Sequence, residues 1–123
     1  MNTTTQNEYH LEADYKRWEI LLSSIKNENG FLIVKLSEAL EEKEDKEFVS
    51  KAEYYQNEFI TKDEFIKELE RDIKYELELL GNSKNKHVPI KLVKKHDKLK
   101  NEISYLESNF YQLKKEFDKY VHT

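Results

Sequence analysis

The side chains best suited to metal binding or proton transfer are four histidines, at positions 10, 87, 96 and 122. A di-iron carboxylate centre in a helical bundle needs Glu-x-x-His pairs, because residues three apart leave one helical face together. The positions three before these histidines hold Asn7, Lys84, Val93 and Lys119, so the pairs are missing. The His-Glu-x-x-His zinc pattern is missing as well. The nearest metal-like spacing is His10 with Asp14, and one pair on a first helical turn reads more simply as exposed surface. With no cysteine in the chain, disulfides, thiolate ligands and thiol nucleophiles are ruled out. No metal or other cofactor is expected.

Carboxylates are plentiful, but 25 acids make chance neighbours common, and nothing points to an apolar pocket that would split their pKa values for acid-base work. Neither of the two glycines lies in a phosphate-cradling pattern. Spacing alone does not test a Ser/His/Asp triad, and slender helical bundles seldom form deep pockets. The chain is therefore expected not to be an enzyme and to have no small-molecule substrate.

The densest charge is basic: Lys84, Lys86, His87, Lys91, Lys94, Lys95, His96, Lys98 and Lys100, opposed only by Asp97. Such a cluster could neutralise phosphates and give salt-dependent binding of nucleic acid or another polyanion. The alternative is pairing with the chain's own Glu68, Asp72, Glu76 and Glu78, which stand just before the turn that brings this segment back. Residues 1–81 carry 11 basic and 20 acidic side chains, a net of −9, and residues 82–123 carry 10 and 5, a net of +5. The two parts should attract each other. No aromatic residue is interleaved for base stacking, and the pI is about 5.6. Self-pairing is the preferred reading, and nucleic acid is a lesser one.

These residues must be carried by helices. Charged residues make up 37% of the 123, while Gly (2) and Pro (1) are far below their average of about 7% and 5%, so the chain lacks the turns a sheet requires. An apolar fraction of 37% has to lie in narrow stripes. The expected fold is all-α: elongated antiparallel helical hairpins forming a coiled-coil-like bundle in a single domain over 8–123, after a disordered polar segment at 1–7. A first helix over 8–27 has Leu11, Tyr15, Trp18, Leu22 and Ile25 at spacings of four and three, widened by Ile20 and Leu21. Asn27, Asn29 and Gly30 then predict a reversal.

A second helix over 31–80 is expected, with Ile33, Leu36 and Leu40 on one face. Its stripe lapses through 41–47 and resumes at Phe48, Ala52, Tyr55 and Phe59. Thr61 and Glu64 make a capping box that would start a new helix, yet the seven-residue phase passes through Thr61 without a slip. Continuity at Thr61 is the preferred reading. There are thus three long helices, or four if the central one breaks near 41–47 or 61. Gly81 to Asn85 is a turn, and Pro89 suits the first position of a last helix over 89–121.

That last helix is the most regular, with Leu92, His96, Leu99, Ile103, Leu106, Phe110, Leu113 and Phe117 in unbroken heptads. A polar His96 within this seam is expected to fix register. The function that follows is a helical interaction or structural module that associates with itself, as an antiparallel dimer through this seam, or with a helical protein. The polar, uncharged start lacks the basic and apolar runs of a secretory signal, and no apolar run is long enough to span a membrane. A cytoplasmic setting is expected.

Overall fold

Three apolar stripes, each repeating at intervals of four and three residues, can be buried only if three helices turn them toward one another. A computed structural model of the chain describes residues 3–82 and 88–122, with side chains from His10 onward, and it has this arrangement. Helix α1 covers Thr3–Glu42, α2 covers Lys46–Asn82 and α3 covers Ile90–Val121, and each packs on the other two. The chain is an all-α three-helix bundle. Met1 and Asn2 of the expected disordered segment lie outside the described residues, and the remainder of that segment is helical backbone from Thr3. The turn expected around 81–85 lies largely outside them too, since only Gly81 and Asn82 are described, at the end of α2.

The expected reversal at 27–30 is overturned: α1 runs straight through it. Buried Tyr15, Trp18, Leu22 and Ile25 are followed in the same phase by Asn29, Leu32 and Leu36. Asn27, Asn29 and Gly30 cost roughly 2 kcal/mol together relative to alanine in a helix. Burial of Leu32 and Leu36 contributes roughly 3 to 6 kcal/mol, so the stripe wins. Asn29, 1% exposed, donates from Nδ2 to the Phe59 carbonyl of α2 at 2.9 Å. Leu36 faces inward as expected, but Ile33 and Leu40 are exposed.

The chain reverses instead at 43–45, within the stretch where the stripe lapses. Asp45 begins the next helix: its Oδ1 accepts from the Glu47 amide at 3.0 Å, and its carbonyl accepts from the Val49 amide at 3.0 Å. This is N-capping by a short acidic side chain. The expected 31–80 helix is therefore replaced by α2, which is continuous through Thr61 as expected. Thr61 Oγ1 donates to the Asn57 carbonyl at 2.9 Å, one turn back, and caps nothing.

Contacts fix the directions. Asn29 on Phe59 and Lys26 on Glu70 make α1 and α2 antiparallel, whereas Asp14 on His96 and Lys114 on Glu28 make α1 and α3 parallel. At the end holding the 43–45 turn, Lys43 Nζ donates to the Val121 carbonyl at 3.2 Å and lies 4.6 Å from the Phe48 ring centre. Phe48 stacks on Tyr120 at 4.3 Å, and the Tyr120 hydroxyl donates to the Phe48 carbonyl. Among the described residues no helix is long and apolar enough to cross a membrane.

Candidate functional site

The buried stripes contain five polar interruptions: Asp14, Asn29, Lys62, Glu76 and His96. Two of them, Asp14 and His96, meet at the end of the bundle farther from the 43–45 turn. Asp14 and His96 are 82 residues apart in sequence, and His96 Nε2 donates to Asp14 Oδ2 at 2.7 Å. Arg17 Nη2 donates to the other carboxylate oxygen at 2.7 Å. The His96 ring stacks on Trp18 at 5.0 Å and meets the edge of Tyr15 at 5.6 Å. Burial on its own would raise the Asp14 carboxyl, but the bond from His96 and the charge of Arg17 hold it below its ordinary value.

Glu76 of α2 lies on the same layer. Burial raises its carboxyl, against the opposing charges of Lys95 and Lys91. The Tyr15 hydroxyl is raised mainly by burial, then by the charges of Glu76 and Asp14, and it has no hydrogen-bond partner among the described residues.

A carboxylate that holds one imidazole nitrogen is half of a proton relay; the other nitrogen must reach a hydroxyl or thiol for nucleophilic chemistry. Here Nδ1 faces Asp97 Oδ1 at 3.7 Å, beyond hydrogen-bond length. The cluster joins α1 to α3 and gives the polar seam position a partner. Sequence spacing could not disclose this, because the two residues belong to different helices. Among the described residues no group of three or more His, Asp or Glu side chains is placed to hold a metal.

The seam expected to bind a partner is occupied by the chain itself. Leu92, His96, Leu99, Ile103, Leu106, Phe110, Leu113 and Phe117 are all buried against the other two helices. Each stripe closes on two neighbours rather than one, so the exposed edge that motivated pairing of last helices does not exist on α3. Of the basic cluster, Lys84, Lys86 and His87 lie outside the described residues. Lys95 bonds Asp72 at 3.4 Å, the one ion pair of the expected self-pairing among the described residues. Lys91, Lys94, Lys98 and Lys100 are exposed and have no ion-pair partner among the described residues.

An unforeseen face lies on the outside of α1. Ile20, Ser24, Asn27, Phe31 and Val34 form a second row at spacings of four and three, opposite the buried one, flanked by Ser23 and Gly30. All are exposed and none is charged, in a chain with 37% charged residues. Ile20 is 74%, Phe31 75% and Val34 54% exposed. Ile20, expected to widen the inner stripe, thus faces outward. A Cβ on Gly30 would meet nothing within 4 Å, so nothing within the chain requires glycine there. The signal available in sequence was the uncharged outer row itself, hidden by the expected turn. Comparison of the chain with protein-family models, with characterised proteins and with solved structures found no match.

Proposed function

We propose that this protein is a non-enzymatic helical interaction module that associates with a second copy, antiparallel, through the outer face of α1. The observation that carries the reading is the uncharged row from Ile20 to Val34, with three large apolar side chains in water. Apolar side chains gathered in one exposed, charge-free row mark an interaction site more than singly scattered ones do.

The row is self-complementary about Asn27. Set antiparallel against a second copy, Ile20 comes level with Val34, Phe31 with the small Ser23, and Gly30 with Ser24, so bulk faces space. At the ends of the row, exposed Lys16 comes level with exposed Glu38 of the second copy, an attractive pair. In a parallel pair Phe31 would meet Phe31 and Lys16 would meet Lys16. The charged pairs choose orientation, each contributing about 0 to 1 kcal/mol, while apolar contact supplies the affinity. From Lys16 to Glu38 the row is about 33 Å long at 1.5 Å per residue. With a helix width of about 10 Å it offers on the order of 300 Å² per copy, below the roughly 800 Å² of a standard interface. A micromolar dissociation constant is the expectation.

Sedimentation equilibrium between 1 and 300 μM tests association. Phe31→Ser is expected to weaken it at least tenfold without loss of helix. The cysteine-free chain allows a direct test of direction. Asn27→Cys should cross-link to itself on oxidation, whereas Ile20→Cys and Val34→Cys should cross-link to each other and not to themselves. A monomer throughout that range, or full association by Phe31→Ser, would refute the reading. Self-cross-linking at all three positions would refute its direction.

A further inference from the structure

A cleft of about 560 Å³ opens between the end of α2 and the start of α3, on the opposite side of the sequence from the α1 row. Its walls are the apolar bodies of Tyr75, Leu79, Pro89 and Leu92, and its rim is Lys91, Lys94, Lys95 and Lys98. From Lys91 to Lys98 the ammonium groups are spread over two helical turns, about 10 Å. Only Lys95 is held by an acid, Asp72; the other three have no ion-pair partner among the described residues. The one acid in the lining is Glu76, whose carboxyl is raised by burial against the charges of Lys95 and Lys91. The first turn of α3 has no acidic residue to oppose these lysines.

We infer that this cleft binds a single small anion with an apolar body, of the class of a fatty carboxylate or an aromatic sulfonate. The size lies within the roughly 300 to 1,000 Å³ of small-molecule sites. Each half of such a ligand has a counterpart. The apolar walls, extended by the lysine methylenes, cover the body, and the ammonium groups on the rim take the charge. A bare inorganic anion would leave the walls wet, and a nucleic-acid backbone would leave them unfilled while finding no aromatic ladder for its bases. This inference does not depend on association through α1.

The test is a titration of the full-length, isotope-labelled protein with dodecanoate, kept below its micelle concentration and followed by amide chemical shifts. Saturable shifts confined to 75–79 and 90–98 are expected. The exposed triple substitution Lys91→Gln, Lys94→Gln, Lys98→Gln should weaken binding at least tenfold while preserving helical circular dichroism. Tyr75→Ser, on the opposite wall, should weaken it severalfold by itself, and sodium sulfate should not compete at millimolar concentration. Unchanged affinity in the triple variant, shifts elsewhere in the bundle, or equal binding of sulfate would overturn the inference. So would tighter, steeply salt-dependent binding of duplex DNA to these lysines, which would make the surface a polyanion site, or binding of anionic vesicles without binding of the monomer.

Discussion

Replacing Asn29 by leucine should stabilise the protein, although it removes a buried hydrogen bond. Asn29 is 1% exposed and lies between Ile25 and Leu32 in the inner row of α1. Its Nδ2 donates to the Phe59 carbonyl, while its Oδ1 is buried with no hydrogen-bond partner among the described residues. Losing the bond costs about 1 kcal/mol net, and removing the unsatisfied oxygen recovers about 1 to 3 kcal/mol. Leucine has a similar size and adds roughly 1.5 to 3 kcal/mol of apolar burial, from which some packing strain must be subtracted. A net gain of about 2 kcal/mol is expected, or roughly 6 to 10 °C in Tm for a domain of this length. The Phe59 carbonyl is inside α2, where a helical amide can still serve it, so the loss does not orphan it. Urea melts of the two proteins measure the difference, and Asn29→Ala, which leaves a cavity, should be destabilised by about 1 to 2 kcal/mol. A destabilisation by leucine above 1 kcal/mol would refute the reasoning, for then the amide bond would outweigh packing in joining α1 to α2.

Thr61→Ala should be neutral or up to about 0.5 kcal/mol stabilising, because a back-bonded threonine within a helix is replaced by a better helix former; a loss of 1 kcal/mol or more in urea would instead mean a capping role. Two buried carboxyls should act on stability with opposite pH dependence. Asp14 is held below its unfolded value near 3.8, so its contribution is complete above that value and is lost as pH falls through the lower folded one. Asp14→Asn should flatten this acid limb, as read by melts between pH 2 and 6, and cost about 1.5 to 3 kcal/mol at pH 7 through the weakened bonds to His96 and Arg17. Glu76 is raised above 4.5, so its contribution is full below that value and declines as pH rises through the folded one. Glu76→Gln should therefore be more stable than the parent at pH 7 and indistinguishable from it near pH 4; equal stability at both would contradict the assignment.

The legible parts of this fold were those where one helix's own pattern was sufficient. Residues 92–120 repeat without error, and α3 lies where that repeat puts it. The phase from Phe59 to Ile66 passes through Thr61 unbroken, and α2 does the same. Residues 22–36 keep the same phase through Gly30, and α1 follows that phase against the local turn propensity of Asn and Gly. Propensities cost tenths of a kcal/mol to about 1 per residue, and buried leucines contribute more. The real turn at 43–45 had no glycine to mark it, only Asp45 and a lapse of apolar residues.

Composition and periodicity by themselves determined that this chain is helical, that it has apolar stripes to bury, and that no cysteine is available for thiol chemistry. These follow from residue type and from the 3.6-residue turn, which are local. Tertiary structure alone decided that α3 is enclosed by its own chain, because a stripe does not state how many neighbours cover it. It also decided that His96 meets Asp14, that Lys91, Lys94 and Lys98 stand over apolar walls, and that Ile20, Phe31 and Val34 are left facing water. Each of these depends on which helices are adjacent and in which direction they run, and both were set by a reversal at Asp45 rather than at Gly30.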